Sequence, residues 1–535
     1  MHDLLIIGAG PVGLALAIEA ARYGLSFRLL EKRDSRSRYS KALGISASTQ
    51  EAFASMGVAE RFYQTGYHPK GVCFHDGKLE LGRAVLSGMV DSPYPDLMIL
   101  PQRETERLLE ERLEELGGSV ERGIELVGLD QQSGQVTARL RGSDGAEMTA
   151  QARWLVGCDG AHSTVRHLAG ISFDGHPLPN TYVLGDIEVE GTLDPDFSHI
   201  FWGKLGFVIF FPISRTQWRI TGNRAPSDER TDPPTLEELQ ALADDKSAGV
   251  RLLRPTWLST FKIQERHAQQ FQLGNIFLCG DAAHVHSPAG GQGMNTGIQD
   301  AFNLGWKLAW AKANPGAAEA VLGTYETERL PVAKEVLAAA RARTERNQGA
   351  AGLEAILRDG IIMLLSHLTP FRKKQALDLS GLNFRYPVST LVAEDEHWPL
   401  KLRPEGLAPG QLARDAALTL AGLDRSLFSE MVAGRFTWLI FRGHGAVDPF
   451  QQRITMLREL PSDWFQVVAV ADDPAGLLGV YGDVAGRAHA RYGAGDGAIY
   501  LVRPDHYIAA RWRGLESDPT EWLQTIGEKE SLAKN

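Results

Sequence analysis

The sequence predicts a multidomain α/β protein with a Rossmann-like nucleotide-binding domain, an inserted antiparallel β-sheet and a compact C-terminal α/β domain. Three observations carry this prediction. A strand–glycine turn–helix–strand unit occupies residues 4–31, aromatic-rich strands fall between residues 173 and 265, and short apolar strands return after residue 410. At 535 residues the chain exceeds what one hydrophobic core supports, so several domains are expected.

The first unit begins with an apolar strand that runs into Gly8, Gly10 and Gly13. In a strand–GxGxxG–helix unit the first glycine makes the tight turn, the second admits a pyrophosphate, and the third lets helix and strand pack closely. The phosphate then lies at the positive end of the helix. The next strand ends at Glu31, whose carboxylate can accept hydrogen bonds from a ribose. This unit predicts a ligand that contains adenosine and a pyrophosphate.

Composition excludes several classes of protein. A formal charge of −10 argues against nucleic acid as a partner, and no apolar run reaches the roughly 18 residues of a membrane span, so no membrane insertion is expected. The three cysteines, Cys73, Cys158 and Cys279, include no CxxC pair. We therefore expect neither a disulfide framework nor a zinc site, and a cytoplasmic location. His284 and His286 lack an apparent third ligand, so no metal is expected there either.

Two later segments have the same strand–glycine character. In the segment 158–166, a strand ends in a turn at Asp159 and Gly160, and Ser163 can cap the helix that follows. In the second segment a strand ends at a Gly–Asp pair that contains Asp281, and a loop at 288–293 enters a helix. Backbone amides at that helix N-terminus can stabilise negative charge on a bound group.

In this order and spacing, the three segments resemble the single-component (class A) FAD-dependent aromatic hydroxylases, including phenol and polyketide hydroxylases. The resemblance implies FAD as cofactor and NADPH or NADH as cosubstrate. Lys41 stands where the family commonly has an arginine; it keeps the charge but loses the planar fork. The resemblance assigns the following residues to the cofactor: Gly8, Gly10, Pro11, Val12, Gly13, Glu31, Lys32, Lys41, Gln102, Arg103, Asp159, Gly280, Asp281, Pro288, Gly291, Gly293, Met294 and Asn295.

The resemblance also implies a reaction. NADH or NADPH reduces FAD, oxygen adds to give a flavin C4a-hydroperoxide, and the distal oxygen passes to an electron-rich aromatic or phenolic ring. The protein must exclude water and position that ring. Partners for a phenol hydroxyl and for the flavin ring are expected among the candidate catalytic residues Arg219, Pro288, Tyr182 and His199.

The same candidates have ordinary structural roles open to them. Arg219 is expected either beside a mobile flavin ring or in a salt bridge. Trp202, Phe210 and Phe211 are candidate contacts for a small aromatic substrate, although packing in the core is the commoner role of such side chains.

The end of the chain resembles the thioredoxin-like domain of the larger phenol and polyketide hydroxylases. The match rests on residues 486–512, especially Tyr492, Gly493 and the strand leading to Arg503. Because no cysteine lies beyond Cys279, this domain cannot perform dithiol chemistry. Packing or formation of a homodimer is its expected role.

The expected domain boundaries follow from these segments. An FAD-binding domain covers 1–172, with a short excursion into the substrate sheet near 72–100. A substrate-binding β-sheet domain covers 173–265, the FAD-binding domain closes with helices over 266–398, and the thioredoxin-like domain covers 399–535.

Other functions are compatible with part of the pattern. Baeyer–Villiger-type oxygen insertion beside a ketone and a flavin oxidoreductase without monooxygenase activity both stay open. A halogenase would usually carry a WxWxIP segment, which is absent. The intact 288–295 loop argues against a non-catalytic flavin-binding protein. The identity of the substrate, the preferred donor and the oligomeric state stay open at this point.

Overall fold

The computed structural model describes the chain in ten stretches, which are residues 1–36, 42–132, 134–203, 206–224, 228, 230–287, 291–347, 365–393, 406–443 and 447–527. The strands are, in chain order, β1 His2–Ile7, β2 Phe27–Glu31, β3 Gly44–Ile45, β4 Gly71–Asp76, β5 Leu79–Val85, β6 Met98–Ile99, β7 Val120–Arg122, β8 Ile124–Gln132, β9 Gln135–Gly142, β10 Glu147–Gly157, β11 Phe173–Gly191, β12 Phe197–Gly203, β13 Gly206–Pro212, β14 Gln217–Asn223, β15 Val250–Ala268, β16 Gln272–Leu273, β17 Ile276–Leu278, β18 His284–Val285, β19 Ala417–Leu420, β20 Leu423–Ser426, β21 Phe436–Phe441, β22 Phe465–Ala471, β23 Val480–Asp483, β24 Ala498–Val502 and β25 Ile508–Arg513.

The α-helices are α1 Pro11–Arg22, α2 Ala47–Ser55, α3 Ala59–Thr65, α4 Gln102–Glu115, α5 Thr164–Leu168, α6 Leu236–Asp245, α7 Gly293–Ala313, α8 Ala318–Asn347, α9 Thr369–Ser380, α10 Leu427–Glu430, α11 Val447–Arg458 and α12 Arg487–Tyr492. Short 3-10 helices cover Gly280–Ala282, Pro315–Ala317, Val484–Gly486 and Pro519–Ile526. Among the described helices, none is long and apolar enough to cross a membrane.

The first sheet has five parallel strands in the order β17–β10–β1–β2–β7. Strand β9 extends it by antiparallel pairing with β10, and β8 pairs antiparallel with β9. Strand β16 pairs antiparallel with β17 at the edge of the sheet. Helix α1 connects β1 to β2 and packs against α4 and α7. This arrangement is the Rossmann-like sheet predicted from the first glycine motif, and its carboxyl edge carries all three glycine segments.

The second sheet has the order β18–β15–β11–β14–β13–β12–β4–β5. The aromatic-rich strands predicted between residues 173 and 265 form as β11 to β15. One prediction needs correction, because the sheet is not wholly antiparallel. The hairpin β4–β5, which lies between α3 and β6 in the chain, joins this sheet through a parallel pairing of β4 with β12.

The third sheet lies in the C-terminal part, in the order β20–β19–β23–β22–β21–β24–β25. Strands β21, β22 and β23 are parallel, and β24 and β25 add antiparallel strands beside β21. The short apolar strands predicted after residue 410 are confirmed, with β21, β22 and β24 largely buried in this part. Residues 399–405, at the start of the expected last domain, lie outside the described residues. Residues 348–364 of the expected helical part at 266–398 also lie outside them, and α9 is the last described helix of that part.

Candidate active site

The first glycine turn fits a bound pyrophosphate. A side chain at Gly8, which has φ of +100°, would lie 2.5 Å from the carbonyl oxygen of Cys158, and one at Gly13 would lie 1.9 Å from the carbonyl oxygen of Gly8. At Gly10 a Cβ would meet nothing within 4 Å, so the backbone faces open space there. Helix α1 begins at the next residue, Pro11, and Gly10 provides no side-chain cap. Its first amides are therefore available to an anion.

Glu31 ends β2 beside this turn and is buried. One carboxylate oxygen accepts the amide of Ala9 at 3.0 Å, and the other accepts Nε of Arg33 at 2.9 Å. Burial raises the pKa of Glu31, but these hydrogen bonds outweigh it and hold the pKa below its ordinary value. An ionised acceptor therefore stands at the predicted ribose position. Arg33 was missed by sequence reasoning, and the side chain of the predicted Lys32 is exposed.

The two carboxylate oxygens of Asp159 differ in their hydrogen bonding. Oδ2 accepts the amides of Thr164 at 2.7 Å and Val165 at 3.1 Å at the start of α5. Oδ1 is buried and has no hydrogen-bond partner among the described atoms. A Cβ on Gly8 would lie 2.9 Å from the Cα of Asp159, so this acceptor adjoins the first glycine turn. A buried acceptor needs a donor, and a hydroxyl of the cofactor would supply one.

Arg166 connects the second segment to the third. Its guanidinium donates to the carbonyl oxygens of Ala282 at 2.8 Å and Ala161 at 2.9 Å, and it lies 3.8 Å from the ring centroid of Phe173. The predicted helix cap is also formed, because Ser163 Oγ accepts the amide of Arg166 at 3.0 Å. Arg166 thus sets the position of the turn that carries Asp281.

Small residues bring the third segment against the first. A Cβ on Gly280 would lie 2.8 Å from Cγ2 of Val12, and one on Gly297 would lie 2.7 Å from the same atom. Val12 can therefore pack between the two segments only because both positions are glycine. The result places the exposed Asp281, on its 3-10 helix, next to the start of α1.

Asp300 on α7 fixes the 3-10 turn Gly280–Ala282 through buried hydrogen bonds. It is completely buried; Oδ2 accepts the amide of Gly280 at 3.0 Å and lies 2.8 Å from Nε2 of His284, and Oδ1 accepts Nε of Arg329 at 2.7 Å. Burial raises the pKa of Asp300, but the charge of Arg329 and the other contacts hold it below its ordinary value. His284 is thereby engaged in a carboxylate pair.

The N-terminus of α7 is joined to β3 by Asn295. Its Oδ1 accepts the amide of Ser46 at 2.9 Å, and its Nδ2 donates to the carbonyl oxygens of Gly44 at 3.0 Å and Gly291 at 2.7 Å. The side chain is thus committed to main-chain groups. A cofactor contact at Asn295 is accordingly expected from its backbone amide.

The remaining predicted residues of this loop are open or partly buried. Gly291 has φ of +64° and is exposed, a Cβ on Gly293 would lie 3.7 Å from the ring of His286, and Met294 packs partly buried against the first core. Pro288 and Lys41 lie outside the described residues.

The two residues predicted to contact the cofactor at the start of α4, Gln102 and Arg103, differ in their surroundings. Gln102 Oε1 accepts the amide of Ala42 at 3.1 Å, and its Nε2 donates to Glu106 at 2.9 Å. Arg103 has a side chain that is 56% exposed and lies 3.6 Å from Glu104. Gln102 therefore supports the segment before β3, whereas Arg103 projects into solvent.

Arg219 links the second sheet to that same segment. Its guanidinium forms two bonds to the carboxylate of Asp186, at 2.7 Å and 2.8 Å, and Nη1 lies 3.4 Å from the carbonyl oxygen of Ala42. It lies 5.4 Å from the ring centroid of Trp257. The predicted salt bridge forms, and it lies on the sheet face towards the cofactor segments. Sequence reasoning missed Asp186, because the pairing of β11 with β14 across 33 residues has no local signal.

The other candidates divide between the two faces of this sheet. Phe211 is the direct neighbour of Arg219 in the sheet and shares its face. Tyr182 stacks on Phe261 at 5.6 Å and contacts Phe207, which is the register partner of Trp202. Tyr182, Trp202 and Phe211 therefore occupy the face that carries Arg219.

The two other candidates, His199 and Phe210, lie on the face opposite Arg219. Phe210 is completely buried in the core with Trp218 and Leu239 of α6. His199 is its register partner; Nε2 bonds the carbonyl oxygen of Asp194 at 2.9 Å. Burial lowers the pKa of His199. Because side chains alternate along a strand, neither residue can reach the Arg219 face.

The family of FAD binding domains matches residues 1–340. The chain belongs to this FAD-binding family. It is 33% identical to a rifampicin monooxygenase of Streptomyces venezuelae over 89% of this chain and 94% of the relative. It is 30% identical to a pentachlorophenol 4-monooxygenase of Sphingobium chlorophenolicum over 95% and 93% of the two chains.

Solved structures are similar over almost the whole chain. The OxyS anhydrotetracycline hydroxylase of Streptomyces rimosus has a TM-score of 0.74 and 29% identity, with 98% of each chain covered. CabE, an aromatic hydroxylase of angucycline biosynthesis, has a TM-score of 0.76 and 28% identity, with 98% of this chain and 99% of CabE covered. The protein is thus an FAD-dependent flavoprotein of the monooxygenase family, and the cofactor predicted from the glycine segments is confirmed at the level of the family.

Proposed function

We propose that this flavoprotein uses NADPH or NADH and O₂ to hydroxylate a small aromatic compound, either a phenol or a polycyclic ring system of the polyketide type. The observation that carries the proposal is the similarity along nearly the whole chain to monooxygenases whose names specify aromatic and polyketide substrates. The convergence of the three glycine segments on one cradle agrees with it.

Bound FAD would supply the reducing equivalents and the activated oxygen. The residues proposed to hold it are the amides at the start of α1, Glu31 at the ribose, Oδ1 of Asp159, Asp281, and the amides at the start of α7. A Cβ on Gly10, Gly160 or Gly291 would meet nothing within 4 Å, so the backbone leaves room for a ligand beside the start of α1, Asp159 and the start of α7. Helix N-termini at both ends of the cradle favour negative charge on the pyrophosphate and on the ring.

The substrate is proposed to lie between this cradle and the Arg219 face of the second sheet. Tyr182, Trp202 and Phe211 are the candidate contacts for its ring, since aromatic faces bury apolar area and stack. Arg219 connects Asp186 on the sheet to the segment before β3, and we assign it a positioning role. A base for a phenol hydroxyl is left unassigned, because His199 lies on the other face.

We also propose the domain division 1–172, 173–265, 266–398 and 399–535, with the 72–100 excursion as part of the substrate sheet. The βαβ unit β21–α11–β22 followed by the antiparallel pair β24–β25 supports a thioredoxin-like last domain. Its proposed role is structural, since all cysteines precede residue 280.

A substrate screen tests the proposal. FAD-loaded protein is incubated with phenols, naphthoquinones and polycyclic aromatics, and the oxidation of NADH and of NADPH is followed with and without each compound. A true substrate is expected to accelerate donor oxidation and to yield a product with one added oxygen. An ester formed from a ketone would indicate Baeyer–Villiger insertion instead, and reduction without an oxygenated product would indicate an oxidoreductase.

A further inference from the structure

Three potential metal ligands meet where the hairpin β4–β5 joins the second sheet. Cys73 and His75 are two residues apart on β4 and share one face, and His199 on β12 is the direct register partner of Cys73. The thiol and the imidazole nitrogens all lie within 4.8 Å of one another. Cys73 and His199 are buried, and His75 is 9% exposed. The group lies outside the flavin site, because it occupies the sheet face opposite Arg219.

The two imidazoles are already oriented for a shared cation. Nε2 of His75 lies 3.0 Å from Nδ1 of His199, and Nε2 of His199 lies 2.9 Å from the carbonyl oxygen of Asp194. A carbonyl oxygen only accepts, so Nε2 of His199 carries the proton and Nδ1 carries a lone pair. A histidine ligand oriented by a backbone carbonyl through its other nitrogen is the usual arrangement around a bound metal.

The dimensions match a small tetrahedral ion. Zinc bonds of about 2.0–2.1 Å to nitrogen and about 2.3 Å to sulfur place ligand atoms about 3.3–3.6 Å apart. The two nitrogens would therefore separate by a few tenths of an ångström, with the ion replacing the single proton between them. Thiolate and imidazole are also the donors that zinc prefers.

The surroundings restrict the ring positions and balance the charge. His75 stacks on Phe201 at 4.2 Å, and His199 contacts Trp218 at 5.9 Å. Arg83 is the register partner of Cys73 on β5, so its side chain leaves the same face of the sheet. It is paired with Glu80 at 2.7 Å and with Asp194 at 2.8 Å, so its charge is neutralised.

We propose that Cys73, His75 and His199 bind one Zn²⁺, which leaves one coordination position for water and joins the hairpin to the sheet through the parallel pair β4–β12. The sequence gives little sign of this site. Cys-x-His is a weak local signal, and the third ligand follows His75 by 124 residues. The expectation of no zinc site rested on the absence of a CxxC pair and is replaced by this proposal.

The proposal is tested on the full-length, FAD-loaded protein. Bound metal is removed with a chelator, the protein is loaded with ZnCl₂ or, separately, MgCl₂, and free metal is removed before metal and FAD are measured. We expect one zinc per chain, no retained magnesium, and a higher unfolding temperature with zinc at unchanged FAD content. Cobalt in place of zinc should give ligand-field bands at longer wavelengths than oxidised flavin absorbs.

Variants locate the ion. Cys73→Ser and His199→Phe should each weaken zinc binding about tenfold or more, whereas His176→Ala, an exposed histidine on the same sheet, should bind as the parent does. Zinc retained equally by all of these proteins would overturn the proposal as adventitious binding. Absence of stoichiometric zinc and of cobalt bands in the parent protein would also overturn it, without recourse to any variant. Neither result depends on finding a substrate.

Discussion

The guanidinium of Arg503 donates to both carboxylate oxygens of Glu328, at 2.6 Å and 2.8 Å, and both side chains are completely buried. Arg503 follows β24 in the C-terminal part, and Glu328 lies on α8 in the part that binds FAD. Asp505 and Lys307 complete the ionic group, each by a bond of 2.6 Å. The charges of Arg503 and Lys307 outweigh the effect of burial and lower the pKa of Glu328 to about 2. The C-terminal part is therefore joined to the flavoprotein core by a buried ionic group.

Arg503→Met should destabilise the protein strongly, because it leaves Glu328 and Asp505 buried with too little positive charge. Removing one partner of a buried ion pair typically costs about 3–5 kcal/mol. Thermal and urea unfolding would measure this loss. Arg513→Met is the matched control, since Arg513 is 51% exposed and pairs with an exposed Asp496. Equal effects of the two substitutions would contradict the structural role of Arg503.

This group changes an expectation drawn from sequence. Because its last part has no cysteine and is expected to be dispensable for redox chemistry, any soluble product of truncation near residue 404 is predicted from sequence to bind FAD. Truncation would remove Arg503 and Asp505 and so deprive Glu328 of its guanidinium partner. The next residue, Arg329, binds Asp300, which in turn bonds the amide of Gly280 in the turn that carries Asp281. We therefore expect truncated protein to be largely insoluble or depleted of FAD. Soluble truncated protein with a full complement of FAD would contradict this expectation.

Substitutions at Asp281 and at Asp300 should affect different properties, FAD retention and protein stability respectively. Asp281→Asn removes an exposed carboxylate at the cradle, so FAD retention should fall about 10- to 100-fold, with a smaller effect on the stability of the apoprotein than that of Asp300→Asn. Asp300→Asn leaves the buried Arg329 without its carboxylate and should lower the stability of the apoprotein itself. Flavin retention during dialysis and unfolding of the apoprotein separate the two effects. Wild-type FAD affinity in Asp281→Asn would refute its assignment.

Arg219→Gln should reduce the acceleration of donor oxidation by substrate while FAD stays bound. The substitution removes both the pair with Asp186 and the contact with the carbonyl of Ala42. Asp186→Asn is the control, because it weakens only the pair. Stopped-flow reduction with and without a true substrate gives the stimulation ratio. If Arg219→Gln retains the parent ratio, Arg219 serves the stability of the sheet alone.

Glu51 provides a pH-dependent test of stability. Burial raises its pKa to about 7, although Oε1 accepts Ser92 Oγ at 2.7 Å. Because the folded-state pKa exceeds that of the unfolded chain, the stability that protonated Glu51 provides is complete below about pH 4.5 and is lost as the pH rises through 7. Glu51→Gln should therefore be more stable than the parent above pH 7, by on the order of 3 kcal/mol at about 1.4 kcal/mol per pKa unit.

The measurement is urea unfolding of both proteins from pH 5 to pH 8, with Glu60→Gln, an exposed neighbour, as control. The difference between Glu51→Gln and the parent should widen across this range. A difference that is constant with pH would mean that Glu51 ionises in the folded protein as it does in the unfolded chain.

The glycine segments were predictable because each has a local steric cause. Gly8, Gly13 and Gly280 are required by contacts of the main chain or of Val12, and the pattern of these positions is visible in sequence. Residues that depend on distant pairing were not predictable. Asp186 and the buried partners of Asp300 carry no pattern of their own, because the sheet register and the packing of α7 against α8 select them.

In the second sheet, the sequence predicted the aromatic strands but not the face on which each side chain lies. Their existence was predicted from composition, but the sequence did not predict that His199 and Phe210 lie on the face opposite Arg219. Alternation along β12 and β13 divides neighbouring aromatics between the Arg219 face and the core under α6. Sequence alone does not reveal which face is which until α6 and the segment before β3 are placed.

Transfer of oxygen from O₂ to the substrate tests the central claim most directly. FAD-loaded protein, NADPH or NADH and an aromatic compound that accelerates donor oxidation are allowed to react under ¹⁸O₂, and the product is analysed by mass spectrometry. The account predicts a ring-hydroxylated product that contains one ¹⁸O atom per molecule, together with FAD released on denaturation. Donor oxidation that yields only hydrogen peroxide for every compound tested, or a product whose new oxygen comes from water, would contradict it.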